Sequence, residues 1–147
     1  MGNKKVGREI PSKFWVKIAK KELERAEDAL KRKDYPDCVF HSQQAVEKIV
    51  KGLLEINKII VRDHYVADKV KKIVSDEKLI EEISWFEKDK KWEIARYPIE
   101  KAGSILTPED VFTRKIAEDA LKKARFVFEK IGEILKEKYG LSFEGEK

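Results

Sequence analysis

Apolar positions recur in steps of three and four from Trp15 onward, through Ile18, Ala19, Leu23, Ala26, Ala29 and Leu30, with Lys, Arg and Glu filling the gaps. That spacing puts an inward stripe on one face of a helix. Ser12 stands where an N-cap belongs, and the helix should run to about Lys33. Asp34-Tyr35-Pro36-Asp37 then restarts the chain, with Asp34 as cap and a proline in the first turn, where no intrahelical acceptor is lost. Val39, Val46, Ile49, Val50, Leu53 and Ile56 form the inward face of the second helix. The short connection predicts that the first two helices lie antiparallel as a hairpin.

Ile59 to Arg62 is β-branched but short and isolated, and reads as a packed connector. Asp63 is placed to cap a third helix with Val66, Val70, Ile73 and Val74 inward. Ser75-Asp76 starts a short fourth helix through Leu79, Ile80, Ile83 and Phe86. After a charged break at Lys88 to Lys91 comes Trp92-Glu93-Ile94-Ala95-Arg96-Tyr97-Pro98. Pro98 disfavours helical geometry at Tyr97, and the stretch to Leu106 reads as a loop. Thr107-Pro108-Glu109-Asp110 is an N-cap, a first-turn proline and two acids at a positive helix end. The last helix should run from there through Phe112, Ile116, Ala120, Val127, Ile131 and Leu135, and stop at Gly140. No strand is expected. The fold is read as all-α, an up-and-down bundle of about five helices, three of them long, over residues 12–140. A flexible arm over 1–11 precedes it and a polar tail over 141–147 follows.

Composition narrows the class. The 147 residues are 41% hydrophobic and 41% charged, enough for one domain with its own core and no staple. One cysteine, Cys38, cannot close an intrachain disulfide, and no secretory signal is recognisable, so a reducing cytoplasm is expected. No apolar run approaches the ~18 residues of a membrane span. Asn and Gln are scarce while Lys and Glu dominate, a thermophile pattern. The formal net charge of +5 permits nucleic-acid binding without requiring it.

Phosphate-binding glycine loops, Cys-x-x-Cys pairs and His-Glu-x-x-His are all missing, so no cofactor and no metal are expected. The two histidines, His41 and His64, fall on different elements. Two other constellations stand out. On the second helix, His41, Gln44, Ala45, Lys48 and Gly52 share one face. Small residues at 45 and 52 suit close helix packing or a dimer interface, whereas Gln44 and Lys48 suit a nucleotide or RNA phosphate. At the second, Trp92, Arg96 and Tyr97 precede a rigid Pro98. A guanidinium grips phosphate and an aromatic ring stacks on a base; equally, Arg96 could pair with Glu47 while Tyr97 packs in the core. Lysine clusters such as Lys20-Lys21 and Lys88/Lys90/Lys91 alternate with acids and read as solvated surface.

The chain resembles the small prokaryotic HEPN (higher eukaryotes and prokaryotes nucleotide-binding) proteins. The resemblance rests on Trp15 and Ala26-Glu27-Asp28-Ala29-Leu30 in the first helix, and on Phe40-His41-Ser42-Gln43-Gln44-Ala45-Val46-Glu47-Lys48 in the second. Arg96-Tyr97-Pro98 and Glu118-Asp119-Ala120 complete it. It implies a helical homodimer, often the partner of a minimal nucleotidyltransferase in modules resembling toxin–antitoxin pairs. Other members are ribonucleases that use Arg-x4–6-His, the Arg positioning phosphate and the His handling the 2′-hydroxyl proton. Here no His follows Arg96. The resemblance therefore implies a nucleotide- or RNA-binding protein without nuclease activity, with Arg96, Tyr97, Gln44, Lys48 and His41 as candidate contacts. A divergent ribonuclease toxin and a purely structural interaction module are the alternatives.

Overall fold

A computed structural model describes residues 10–141; the rest of the arm and tail lies outside the described residues. Three long helices dominate: α1 (Ser12–Lys31), α2 (Tyr35–Ile56) and α7 (Arg114–Tyr139). Shorter helices α3 (Ala67–Lys71), α4 (Glu77–Glu87), α5 (Lys91–Ile94) and α6 (Pro108–Val111) fill the long connection between α2 and α7. The all-α bundle expected from periodicity is what forms.

α2 is the central element, packed on both α1 and α7. Its Val39, Val46, Ile49, Val50, Leu53 and Leu54 are buried against Ala19, Ala26 and Ala29 of α1 and Ala117, Ala120, Ala124 and Val127 of α7. Alanines on the outer helices let the backbones come close. Gly52 is the tightest approach: a Cβ there would lie 3.3 Å from Ser12 Oγ and 3.4 Å from Trp15 Cβ. The small-residue face of α2 is thus spent on α1 within the chain.

Several ends differ from the sequence reading. Ser12 does not cap α1; Pro11 holds that position, and Ser12 Oγ donates to Gly52 O at 2.7 Å, tying α1 to α2. Ile18, expected inward, is 40% exposed because the buried arc runs through Val16 and Ala19 instead. α3 is capped from outside the segment: Glu87 Oε2 accepts from Val66 N and Ala67 N, while Asp63 only closes a turn onto Tyr65 N. Asp34 and Asp76 do cap α2 and α4, accepting from Asp37 N and Leu79 N.

The final helix breaks where one run was expected. Phe112 turns extended and buries its ring, ending α6, and Thr113 Oγ1 caps α7 by accepting from Ile116 N. Gly140, in the left-handed region, ends α7 as read. α1 closes the same way on a lysine. Lys33 (φ 64) takes the left-handed position, Asp34 N donates to Ala29 O and Lys33 N to Leu30 O, the paired bonds of a Schellman end.

The loop before α6 is in fact a hairpin. β1 (Ile99–Lys101) pairs antiparallel with β2 (Ser104–Leu106) in the register Ile99↔Leu106, Glu100↔Ile105, Lys101↔Ser104. Ala102 (φ 52) and Gly103 (φ 82) form the two-residue turn, a primed turn of the kind that joins twisted strands. Ahead of it, Asp89 and Lys90 adopt positive φ at a kink. Lys91, read as solvated, is buried there, donating to Trp85 O (2.8 Å) and Lys88 O (3.0 Å). Its burial pulls the ammonium pKa down. This clamp fixes the direction in which Trp92 to Tyr97 leave α4.

Candidate functional site

His41, Gln44 and Lys48 follow one another along a half-buried edge of α2. α1 runs along one side of that edge. Trp15 lies under the ammonium groups of Lys48 and Lys51 (6.0 and 5.6 Å to the ring centroid), and Glu22 Oε1 lies 2.6 Å from His41 Nδ1. α5 packs along α2 as well, and the segment leaving it sets Arg96 against the first turns of α2. The elements therefore bring Arg96 of the second constellation beside Phe40 and His41, at one end of the first.

A buried carboxylate anchors this face. Glu47 is 3% exposed, and four side chains converge on it. Gln43 Nε2 donates to Oε1 at 2.8 Å, His64 Nδ1 lies 2.7 Å from the same oxygen, Lys51 Nζ donates to Oε2 at 3.0 Å, and Lys48 Nζ stands 3.6 Å away. Burial pushes the Glu47 pKa up, but the His64 hydrogen bond, the Lys51 charge, the Gln43 bond and Lys48 outweigh it and hold the carboxyl below its ordinary range. Trp92 stacks on His64 (4.6 Å between centroids) and meets Tyr65 edge-on. Gln44 Nε2 donates to Gln43 Oε1 at 2.6 Å, so the consecutive glutamines form a relay ending on Glu47.

The sequence singled out Gln44 and Lys48, set Trp92 beside Arg96 and considered Glu47 as a partner of Arg96, but it did not anticipate Gln43 and Lys51, nor that His64 and Trp92 would gather at Glu47. The signal was present on α2: Gln43, Glu47 and Lys51 are successive i, i+4 positions, a donor, an acid and a base on one line. His64 and Trp92 arrive from separate elements, and no local spacing ties either of them to Glu47.

Arg96 does not adopt the structural alternative, an ion pair with Glu47 beside a core Tyr97. Glu47 is engaged elsewhere, and Tyr97, far from packing in the core, is 63% exposed. The Arg96 guanidinium lies over the Phe40 ring, 3.8 Å from its centroid. Among the described residues no carboxylate or carbonyl accepts from it. Stacking on an aromatic ring fixes the plane of a guanidinium while leaving its N–H donors open. Phe40 in turn meets His41 edge-on at 5.2 Å. Arg96, Phe40 and His41 thus form a stack, with exposed Tyr97 following Arg96 in the chain. His41 Nε2 stands 3.5 Å from Asp37 Oδ1.

The face thus carries an oriented guanidinium at Arg96 and an exposed ring at Tyr97, while the Gln44 amide donates to Gln43 and the Lys48 ammonium stands beside Glu47. Its class follows from the fold and from the sequence together. The HEPN domain model matches residues 12–135, and the chain belongs to the HEPN family. Among curated proteins it is 40% identical over 141 residues to "Putative toxin MJ1304" of Methanocaldococcus jannaschii, covering 88% of this chain and 91% of that one. Among solved structures, TT1696 from Thermus thermophilus is similar with a TM-score of 0.72 at 28% identity, over 83% of this chain and 96% of that one. ST0689, an archaeal HEPN homologue, shares the fold with a TM-score of 0.65 at 22% identity, over 83% of this chain and 95% of its own. Among the described residues no helix is long and apolar enough to cross a membrane.

Proposed function

We propose that the chain is a homodimeric HEPN protein that binds a nucleotide or an RNA phosphate at the Arg96 corner. In this reading it is the partner of a nucleotidyltransferase in a toxin–antitoxin-like module and does not cut RNA. The observation that carries the binding role is Arg96 itself. A buried or paired arginine would already have spent its side-chain donors, whereas this guanidinium is oriented by Phe40 and makes no hydrogen bond among the described residues. The toxin description of the M. jannaschii relative supports the module. The absence of any His after Arg96 in the sequence supports the non-nucleolytic role.

The test is calorimetric titration of the wild-type chain and Arg96→Ala with nucleotides and short single-stranded RNA. A shielded phosphate on Arg96 contributes about 1.5–3 kcal/mol and a base stacked on Tyr97 about 1–3 kcal/mol. After the cost of association, micromolar affinity is expected. A gel assay of the same RNA in EDTA should show no cleavage, and a nucleotidyltransferase encoded beside this gene should co-purify with the chain.

One observation favours a second reading, a ribonuclease that uses His41. Its Nδ1 is oriented by Glu22 and its ring adjoins Phe40, on which Arg96 lies. A base held by a carboxylate beside a phosphate-binding arginine is an arrangement that can move a proton. RNA cleavage abolished by both His41→Ala and Arg96→Ala would establish it in place of the first.

A further inference from the structure

Trp92 stands four residues before Arg96 on the same short turn. Its ring lies on His64, which is bonded to the buried Glu47 of α2. We infer that Trp92 and His64 are positioning residues for the Arg96 guanidinium. The Trp92–His64–Glu47 strut seats α5 on α2 so that Arg96 meets the face of Phe40 with its donors outward. This deepens the binding role proposed above and rests on it only for the effect on affinity.

α5 cannot hold its own place. Four residues are too few for a self-supporting helix. The chain also enters it through Asp89 (φ 63) and Lys90 (φ 48), two residues in a left-handed conformation that disfavours side chains. The turn that follows is internally rigid. Ala95 N donates to Lys91 O, and Arg96 N and Tyr97 N both donate to Glu93 O, each at 3.0 Å. Residues 91–97 therefore move as one body, and what fixes Trp92 fixes Arg96. Lys91 holds the start of that body to the end of α4, while Ile94 and Ala95 pack on the core. Its register along α2 is set by two side chains one turn apart, Trp92 and Arg96.

Both of these reach the same helix. Glu47 and Phe40 are separated on α2 by about two turns, or ~10 Å. Trp92 reaches the first through His64, and Arg96 rests on the second. The Trp92 end is the stronger of the two. His64 Nδ1 lies 2.7 Å from a Glu47 oxygen, and the His64 and Trp92 rings stack at 4.6 Å with 25° between their planes. Tyr65 closes on the indole edge-on at 5.4 Å. His64 is braced from the other side as well, because Glu87 accepts from Val66 N and Ala67 N just beyond it. At the other end one guanidinium lies on one ring, a weak contact at an exposed site. Such a contact stays populated when a stronger one keeps its partners facing, so Arg96 owes its place to Trp92 and not the reverse.

NMR of the full chain tests this without a ligand. Side-chain protons of Arg96 held over the Phe40 ring resonate upfield of their ordinary position, and their disappearance in Arg96→Ala assigns them. Trp92→Ala and His64→Ala should return these signals to the ordinary position while the circular dichroism stays that of the wild type. Trp92→Phe, which keeps a ring on His64, should leave them upfield. Titration with adenosine diphosphate gives the consequence. A guanidinium in place about a fifth of the time binds about fivefold more weakly, so both alanine variants should lose about that much and Trp92→Phe less than about twofold. Added to Arg96→Ala, Trp92→Ala should weaken binding no further, because it acts through Arg96. An Arg96 signal that stays upfield in Trp92→Ala or in His64→Ala overturns the inference. So does its loss in Trp92→Phe, which would mark a general collapse of α5. A wild type that shows the predicted signals in all variants but binds no adenosine diphosphate counts against the binding role and upholds the positioning one, so the two failures are read apart.

Discussion

Glu47→Ala is the most informative perturbation of the core. The carboxylate is 3% exposed and receives Gln43, His64 and Lys51 at 2.7–3.0 Å. Removing it leaves two cationic or hydrogen-bonding side chains and an amide facing a cavity. Breaking a buried pair by deleting one member costs about 3–5 kcal/mol. In a chain of this size each kcal/mol shifts the melting midpoint by about 2–4 °C, so a drop of about 10 °C is expected at neutral pH. The pH dependence gives a second check. Because its folded pKa lies below the unfolded one, Glu47 contributes its full stabilisation above the ordinary carboxyl range, near 4.5. That contribution fades as pH falls through the lower folded value. The gap between wild type and Glu47→Ala should therefore narrow as the pH falls below about 4.5, through the carboxyl's lowered folded value. Glu87 titrates in the opposite sense: burial raises its pKa against the Val66 and Ala67 amides, and protonation relieves a penalty. It is present in both proteins and cancels in the difference. Thermal melts by circular dichroism across this range suffice. A mutant melting within about 2 °C of wild type at neutral pH would refute the argument that Glu47 anchors the network, as would a gap that ignores pH.

Three further outcomes follow from local geometry. Gly52→Val places a branched side chain where even a Cβ meets Ser12 Oγ at 3.3 Å, and should destabilise by about 1–3 kcal/mol in chemical denaturation. Lys33→Gly removes a side chain from a left-handed residue with φ 64 and should raise stability by up to about 1 kcal/mol in the same assay. Cys38, buried and with its pKa raised to about 11, should stay unreactive toward a thiol reagent at neutral pH until denaturant is added.

The long helices were legible because each carries its own signal. Apolar residues three and four apart, a capping Asp34, and Gly140 at the end of α7 are all local. What escaped the sequence was settled at long range or by rare backbone choices. Ser12 looked like a cap but is taken by the Gly52 carbonyl forty residues away. The cap of α3 comes from Glu87, in the next helix. The hairpin hid because its strands have three residues each and its turn uses alanine at a position with positive φ, where Asn, Asp or Gly is the usual sign. α6 and α7 merged in the periodic pattern because Phe112 is apolar in either conformation; only its burial beside a second cap at Thr113 separates them. For the candidate site, the family-like Gln-Gln-Ala-x-Glu-Lys run drew attention to α2. It could not show that Glu47 is the buried anchor and Gln44 the outer end of a relay, nor that Arg96 would rest on Phe40.

The central claim, that the Arg96 corner is a binding site and not a structural prop, is decided most directly by pairing ligand titration with thermal melts for wild type and Arg96→Ala. Because the guanidinium lies over the Phe40 ring and makes no hydrogen bond or ion pair among the described residues, its loss should cost at most about 1 kcal/mol of stability. Losing the phosphate contact should weaken nucleotide or short-RNA binding by at least about tenfold. Micromolar binding by the wild type, lost in a mutant that melts almost normally, is the predicted result. A wild type that binds neither nucleotide nor RNA, beside a mutant that melts many degrees early, would show that Arg96 serves the fold alone.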